Sequence, residues 1–271
     1  MTKGTRVPPP ARPTDRDGAA ALALELRSVS AGYGASAVLH DVSISVPRSS
    51  VVALLGPNGV GKTTTLRVAA GLLRPASGRV VIGGKEASRA APFRRARQGV
   101  CLIPEGRGIF RSLTVRENLE LLIPPWRKDG SIDPAVQAFP MLGQRLGQVA
   151  GSLSGGQQQQ LALARAFLSA PDVVLLDEVS MGLAPVIVDQ IFESFKLLAS
   201  TGVALVLVEQ YVSRALGMAD TAYLMARGAI AWSGPAATLD TDAITRAYLG
   251  HADEVPIAGS ESKERVTSND A

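Results

Sequence analysis

A glycine-rich stretch at residues 56–64, GPNGVGKTT, constrains the fold of this chain more than any other feature. It follows an apolar, β-branched run at residues 51–55 and precedes a helix-forming segment at residues 66–73. Glycines let backbone N–H groups curl around an anion, and the N-terminus of the following helix adds its positive dipole end there. The Gly-x-x-x-x-Gly-Lys-Thr spacing between a strand and a helix is therefore typical of a phosphate-binding loop. The alternative, a glycine-rich turn with a chance lysine, requires neither flanking element.

Two further groups of side chains fit a nucleotide at this loop. Lys62 is placed to reach the β- and γ-phosphates, and the hydroxyl of Thr63 is placed to bind Mg²⁺. Downstream, an apolar run at residues 173–176 ends in Asp177, which fits the Mg²⁺-holding acid of P-loop enzymes. Glu178, one residue further on, is placed to polarise an attacking water as a general base. An ordinary strand-to-loop transition is the alternative for these two acids.

The signature segment, as we call residues 153–157 (LSGGQ), opens a long helical run that ends near Ser169. Ser154 and Gln157 have the spacing of a capping box, so we expect the helix to begin at Ser154. Gly155 and Gly156 leave the first backbone N–H groups bare, which predicts a second anion-binding helix end. A plain helix start explains the serine and the glutamine but not the paired glycines.

Three more polar side chains lie in loops near predicted strand ends. Tyr33, flanked by glycines, is placed either to stack on a base or to cover a sheet edge in a turn. Glu105 lies in a polar loop directly after a strand. Gln210 follows an apolar run at residues 203–208, at the edge where doubly wound folds bind ligands, although a simple strand end is the alternative.

Bulk properties exclude several classes of protein. No apolar run is long enough to cross a bilayer and no signal-peptide core is present near the start, so we expect a cytosolic protein. The single cysteine, Cys101, excludes an internal disulfide and is predicted to be a small core residue. The basic cluster at residues 94–97 lacks interleaved aromatic side chains, so it predicts a solvated helix face rather than a nucleic-acid site. Residues 1–20 and 251–271 are predicted to be disordered.

The glycine-rich loop, the signature segment and the strand ending in Asp-Glu, in that order, resemble the ATP-binding cassette family over about residues 22–250. The resemblance implies an α/β P-loop fold with an antiparallel β edge and an inserted helical subdomain at about residues 86–155. It further implies that two cassettes, identical or different, pair head to tail, with ATP between the loop of one and the signature segment of the other. The implied location is the cytoplasmic face of the membrane, as a peripheral subunit bound to permease subunits and acting indirectly with a substrate-binding protein, without nucleic acid.

The same resemblance assigns roles to individual positions. It implies that Glu178 and Gln210 are catalytic and that Thr63 and Asp177 hold Mg²⁺. The implied ATP-binding residues of the two half-sites are Tyr33, Gly56, Pro57, Asn58, Gly59, Val60, Gly61, Lys62, Thr63, Thr64, Glu105, Ser154, Gly155, Gly156 and Gln157.

Three segments resemble one subgroup, the ATPase subunits of importers for branched-chain amino acids and related amides and urea. They are PEGR at residues 104–107, MGLAP at residues 181–185 and VEQ at residues 208–210. The chain departs from the common family pattern at four positions. Gln210 replaces the usual switch histidine, Val179 the usual proline, Val60 the common alanine and Glu105 the usual glutamine. An exporter ATPase and a soluble cassette of translation or DNA repair are the competing interpretations.

Overall fold

The computed structural model describes residues 21–128 and 130–239. The segments at residues 1–20 and 251–271, which are predicted to be disordered, lie outside the described residues.

The described residues form ten β-strands and eight α-helices. In chain order the strands are β1 (Leu22–Tyr33), β2 (Ser36–Pro47), β3 (Val51–Leu55), β4 (Ser77–Ile82), β5 (Lys85–Glu86), β6 (Val100–Ile103), β7 (Val173–Asp177), β8 (Ala204–Val208), β9 (Thr221–Ala226) and β10 (Ala229–Pro235). The α-helices are α1 (Lys62–Ala70), α2 (Pro92–Arg97), α3 (Val115–Leu122), α4 (Asp133–Ala138), α5 (Pro140–Gly143), α6 (Gly155–Ser169), α7 (Pro185–Ser200) and α8 (Val212–Met218), and single 3₁₀ turns lie at Ala150–Ser152 and Ala236–Thr238.

The central sheet has six strands in the order β10-β9-β3-β8-β7-β6. Its strands are parallel from β9 to β6, and only β10 pairs in the antiparallel sense. Every residue of β3, β7 and β8 is buried, which is why these strands read as continuous apolar runs instead of alternating patterns. Cys101 of β6 is buried among them, which confirms its prediction as a core residue.

A second sheet, antiparallel and in the order β2-β1-β4-β5, covers one side of the central sheet. Alternate residues of the central strands face opposite sides. Leu175 of β7 packs with Leu66 of α1 and with the antiparallel sheet, while Leu176 packs on the other side with α6 and α7. The fold is therefore the predicted α/β P-loop class with an antiparallel β edge. The division that sets residues 86–155 apart as a helical subdomain stays a prediction.

One prediction at this level was wrong, because Arg95 of the basic cluster is 1% exposed instead of solvated. Its guanidinium donates to four backbone carbonyls, two of them at Val68 and Ala69 in the last turn of α1. The last carbonyls of a helix have no partner within the helix, so Arg95 caps α1 at its C-terminal end. Burial lowers the pKa of Arg95 to about 10, so the side chain stays charged at neutral pH. The other two arginines of the cluster are exposed, as predicted.

Within residues 21–128 and 130–239, every helix is too short or too polar to cross a lipid bilayer.

Candidate active site

Four neighbouring parallel strands, β3, β8, β7 and β6, place their following loops at one edge of the central sheet. The glycine-rich loop follows β3, and Gln210 follows β8. Asp177 ends β7 with Glu178 directly after it, and Glu105 lies two residues beyond β6. The carboxyl edge of an open parallel sheet is where such folds bind ligands. Sheet order therefore brings together side chains that are up to about 150 residues apart in the sequence.

The glycine-rich loop adopts backbone angles that only glycine reaches without strain. Gly56, Gly59 and Gly61 have φ values of 147°, 82° and 109°. A β-carbon on Gly56 would lie 2.5 Å from the carbonyl oxygen of Met225, so the loop could not pack against β9 with any other residue there. Helix α1 begins at Lys62, four residues earlier than the predicted helical segment. Its N-terminal N–H groups therefore lie directly at the loop, where they can bind an anion.

Lys62 is the loop's buried cation, with 6% of the residue exposed. Its Nζ donates to the carbonyl oxygens of Gly56 at 2.7 Å and Pro57 at 3.0 Å, and it lies 3.9 Å from Oε1 of Glu178. Burial lowers the pKa of Lys62, while the nearby carboxylates of Glu178 and Asp177 oppose that shift. Its charge is thus held at the mouth of the loop, where a phosphate would replace carbonyl oxygens as its partner.

Thr63 and Asp177 form the oxygen pair that the sequence predicts for Mg²⁺. Oγ1 of Thr63 donates to Oδ1 of Asp177 at 2.9 Å, although the two residues are 114 positions apart. Burial raises the pKa of Asp177, and the hydrogen bond from Thr63 opposes that shift. A hydroxyl and a carboxylate beside a phosphate-sized space suit Mg²⁺, which takes one or two protein oxygens and completes its shell with phosphates and water.

Glu178 faces a cavity of about 250 Å³ beside the loop. Its backbone lies in the left-handed region at φ 48°, and its N–H donates to the carbonyl oxygen of Val208 at 2.8 Å. A left-handed backbone costs about 1 kcal/mol at a residue with a β-carbon. The cavity is lined by Asn58, Gly59, Gly61, Lys62, Thr63, Thr64, Glu105 and Glu178.

Gln210 and Tyr33 lie at the margins of this site. Nε2 of Gln210 is 3.5 Å from Oε2 of Glu178 and 3.3 Å from the sulfur of Met181, and the side chain is exposed. Tyr33 is the last residue of β1, not a turn residue as predicted. It is 44% exposed, and its hydroxyl accepts a hydrogen bond from Arg67 of α1 at 3.2 Å. An exposed ring beside the loop's helix has a face open for a base.

The signature segment begins α6 with the predicted capping box. Ser154 is the N-cap, its hydroxyl accepts from the N–H of Gln157, and the side chain of Gln157 accepts from the N–H of Ser154. Packing gives a reason for one glycine that the sequence did not supply, since a β-carbon on Gly156 would lie 2.5 Å from the side chain of Ile187. In the described chain, no residue of this segment lines the loop cavity. The two glycine-rich helix N-termini therefore lie at separate places in the described structure.

Sequence reasoning missed a buried carboxyl, Glu209, which is 1% exposed. It lies between Val208 of β8 and Gln210. Its Oε1 accepts from the backbone N–H of Ser180 at 3.3 Å, and its Oε2 accepts a short hydrogen bond from the Ser180 hydroxyl. This pair ties the loop that carries Glu178 to the loop that carries Gln210. A signal was available, because Glu209 directly follows a wholly apolar strand, but strand periodicity cannot tell which of the two polar residues after the strand is buried.

Burial raises the pKa of Glu209 from 4.5 to about 7, and the hydrogen bonds from Ser180 only partly oppose that shift. The folded chain therefore keeps a proton that the unfolded chain has released above about pH 4.5. The stability that Glu209 contributes is fully present below that pH and is lost as pH rises through about 7, by at most ~3 kcal/mol. We expect the free energy of unfolding of wild type, relative to Glu209→Gln, to fall between about pH 5 and pH 7 in urea titrations.

The matched control is Glu193→Gln, because Glu193 is an exposed carboxylate on α7. Its difference from wild type should show no comparable slope over the same range of pH. A Glu209→Gln protein with the same pH dependence as wild type would show that Glu209 does not hold the extra proton.

Comparisons with known proteins agree with this geometry. A family model described as ABC transporter matches residues 39–181, which is more than half of the chain. The chain is 42% identical to the high-affinity branched-chain amino acid transport ATP-binding protein BraG of Pseudomonas aeruginosa, over 84% of this chain and 99% of that protein. It is 32% identical to the lipopolysaccharide export system ATP-binding protein LptB of Haemophilus influenzae, over 84% of this chain and 97% of that protein.

The fold is also similar to a solved structure, an ATP-binding cassette of an ABC transporter in its ADP conformation. The two superpose with a TM-score of 0.72 at 25% identity, over 85% of this chain and 96% of the other.

Proposed function

The chain belongs to the ABC transporter family as an ATP-hydrolysing subunit, and we propose that its transporter imports branched-chain amino acids or related small solutes. The observation that carries this proposal is the 42% identity to a branched-chain amino acid transport protein over nearly its whole length. The segments at residues 104–107, 181–185 and 208–210, which resemble that subgroup, lie at the nucleotide edge or beside it.

An exporter subunit is the second candidate, and the 32% identity to a lipopolysaccharide export protein favours it. The two candidates share their chemistry and differ in the membrane subunits that they move. The ten-point difference in identity between the two relatives supports import.

The proposed chemistry follows from what each side chain can do at the sheet edge. Lys62 and the N–H groups of the loop bind the phosphates of ATP, and Thr63 and Asp177 hold Mg²⁺. A bound Mg²⁺ would neutralise charge on the phosphates of ATP. Glu178 accepts a proton from the attacking water. Gln210, within 3.5 Å of Glu178, donates through its amide but carries no charge, so it orients groups without exchanging protons.

In this proposal, the loop and its neighbours form only half of an ATP site. The cavity beside the loop is lined by α1 and by residues that follow β3, β6 and β7, and by none from the signature segment within the described residues, while that segment forms a capped helix N-terminus elsewhere. Ser154 to Gln157 of a second cassette, identical or different, would cover the phosphates from the open side. ATP would then hold the two cassettes together, and hydrolysis would release them.

An apolar groove supports a permease as the membrane partner. The groove holds about 480 Å³ between α2, α3 and β6. Four of its lining residues are among the exposed large apolar side chains of the described chain, with exposures of 38–59%: Leu72, Phe93, Leu121 and Trp126. Grooves of this kind bind amphipathic helices. We assign it to a short helix on the cytoplasmic side of the permease.

Purification through an affinity tag on this chain from detergent-solubilised membranes tests the proposed function. We expect membrane subunits to co-purify, and the complex in lipid vesicles to hydrolyse ATP faster when leucine and its binding protein are added. Stimulation by lipopolysaccharide alone would assign the chain to an exporter. Recovery of an active ATPase without any membrane subunit would indicate a soluble cassette.

A further inference from the structure

Side-chain hydrogen bonds join the loop after β6 to the 3₁₀ turn at Ala150–Ser152, which we call the lead-in turn because it leads into the signature segment. Glu105 of this loop lines the nucleotide cavity, and Arg107 follows two residues later. Gly106, Arg107 and Gly108 all lie in the left-handed region, with φ values of 84°, 72° and 61°. Arg107 carries a β-carbon, so its backbone is strained there and something must hold it in place.

The side chain of Arg107 stabilises this backbone conformation through its own contacts. Its Nη1 donates a short hydrogen bond to Oε1 of Gln158 in the first turn of α6. Its Nη2 lies 3.2 Å from where a β-carbon on Gly155 would be, so the guanidinium packs against the signature segment itself. A larger residue than glycine at that position would compete with Arg107 for the same space.

Gln158 passes this contact on to the backbone that precedes Ser154. It is 4% exposed, and its Nε2 is shared among the carbonyl oxygens of Ala150 at 3.2 Å, Gly151 at 3.4 Å and Leu153 at 3.1 Å. The amide of Gln158 therefore accepts from Arg107 through its oxygen and donates to the backbone of the lead-in turn through its nitrogen. Arg107 therefore cannot move without breaking one of these hydrogen bonds or shifting the lead-in turn.

The space beside these hydrogen bonds is an open cavity and is not filled by packed side chains. A cavity of about 290 Å³ separates Arg107 from Glu178 and is also bordered by Glu105, Arg111, Gln158 and Gln159. On the side of this cavity, the hydrogen bond from Arg107 to Gln158 joins the loop after β6 to the start of α6.

We propose that Arg107 is a positioning residue that couples the two ATP half-sites carried by one chain. This inference rests on the proposed function. When a nucleotide enters, the loop that carries Glu105 is displaced, and Arg107 carries that displacement through Gln158 to Ser154, which contacts the ATP of the partner cassette. Linkage makes the effect reciprocal, so contact at the signature segment also changes ATP affinity at the chain's own loop.

Arg107→Met tests this coupling, because methionine keeps an unbranched side chain with a β-carbon but cannot donate a hydrogen bond. ATP hydrolysis is measured against ATP concentration in the tagged complex. We expect a wild-type Hill coefficient towards about 2, the number of sites, and a value of about 1 for Arg107→Met. Arg107→Lys keeps a donor within reach of Gln158 and should recover part of the loss. ATP affinity at a single site should stay within about twofold of wild type, which a general loss of structure would not allow.

Arg111→Met is the matched control. Arg111 borders the same cavity, and its replacement by methionine removes the same charge. Its side chain makes no hydrogen bond within the described residues. It should keep the wild-type Hill coefficient. If Arg107→Met hydrolyses too slowly to fit, equilibrium binding of labelled ATP on a Glu178→Gln background gives the same coefficient.

An unchanged Hill coefficient in Arg107→Met, an equal loss in Arg111→Met, or a wild-type value of about 1 would each overturn the coupling. Failure of the proposed function is distinct, because it would appear as a tagged protein without membrane subunits or as ATP hydrolysis that leucine and its binding protein do not stimulate.

Discussion

Lys62→Ala should weaken ATP binding by about a hundredfold. Lys62 is the one cation among the residues that line the loop cavity within the described chain, and Glu105 and Glu178 line it as well. Without the ammonium group, the cavity presents two carboxylates to a polyphosphate. The group is also 6% exposed, so water cannot replace it efficiently. Fluorescence titration with a labelled ATP analogue measures the change.

Lys85→Ala is the control for loss of positive charge, because Lys85 is exposed on β5 and lies outside the cavity. Its ATP affinity should equal that of wild type. If Lys62→Ala binds ATP within twofold of wild type while its thermal unfolding is unchanged, the loop is not the nucleotide site.

Glu178→Gln should keep ATP binding and lose turnover by about 10²- to 10⁴-fold, the range that a positioned general base contributes. The amide has the shape of the carboxylate and can occupy the same left-handed backbone, but it cannot accept a proton at neutral pH. Removing its charge also removes a repulsion between Glu178 and the γ-phosphate, so ATP affinity should not fall. Release of phosphate in single-turnover experiments separates binding from chemistry.

Gln210→Ala provides the graded comparison. Its amide is 3.5 Å from Glu178 and exposed, so its removal should slow turnover less than Glu178→Gln does. Turnover by Glu178→Gln within twofold of wild type would exclude Glu178 as the base, whatever the result for Gln210.

Features that depend on neighbours in the sequence were predictable, and features that depend on distant packing were not. The strand before the loop, the capping box at Ser154 and the acids that end β7 each need only a few adjacent residues, and the structure contains all three. The link from Thr63 to Asp177 spans 114 positions. It was accessible only because both motifs had a known chemical role beside phosphate and Mg²⁺.

Three buried polar side chains show why the other contacts could not be predicted from the sequence. Arg95 lies in a run of arginines whose composition indicates a solvated face, and its burial follows from where the end of α1 happens to lie. Glu209 and Gln158 are polar residues that local patterns place at a strand end and in a helix, and neither position discloses a partner. Burial of a polar side chain is decided by whether the tertiary fold supplies its hydrogen bonds, which periodicity does not encode.

The central claim is that residues 56–64 form half of a site that a second cassette completes. Sedimentation velocity tests it most directly, using the Glu178→Gln form of this chain and any second cassette released from the purified complex. We predict a shift from single cassettes to pairs on addition of Mg²⁺ and ATP, and no shift when Ser154→Arg is introduced as well. Single cassettes that bind ATP and remain unpaired would contradict the claim.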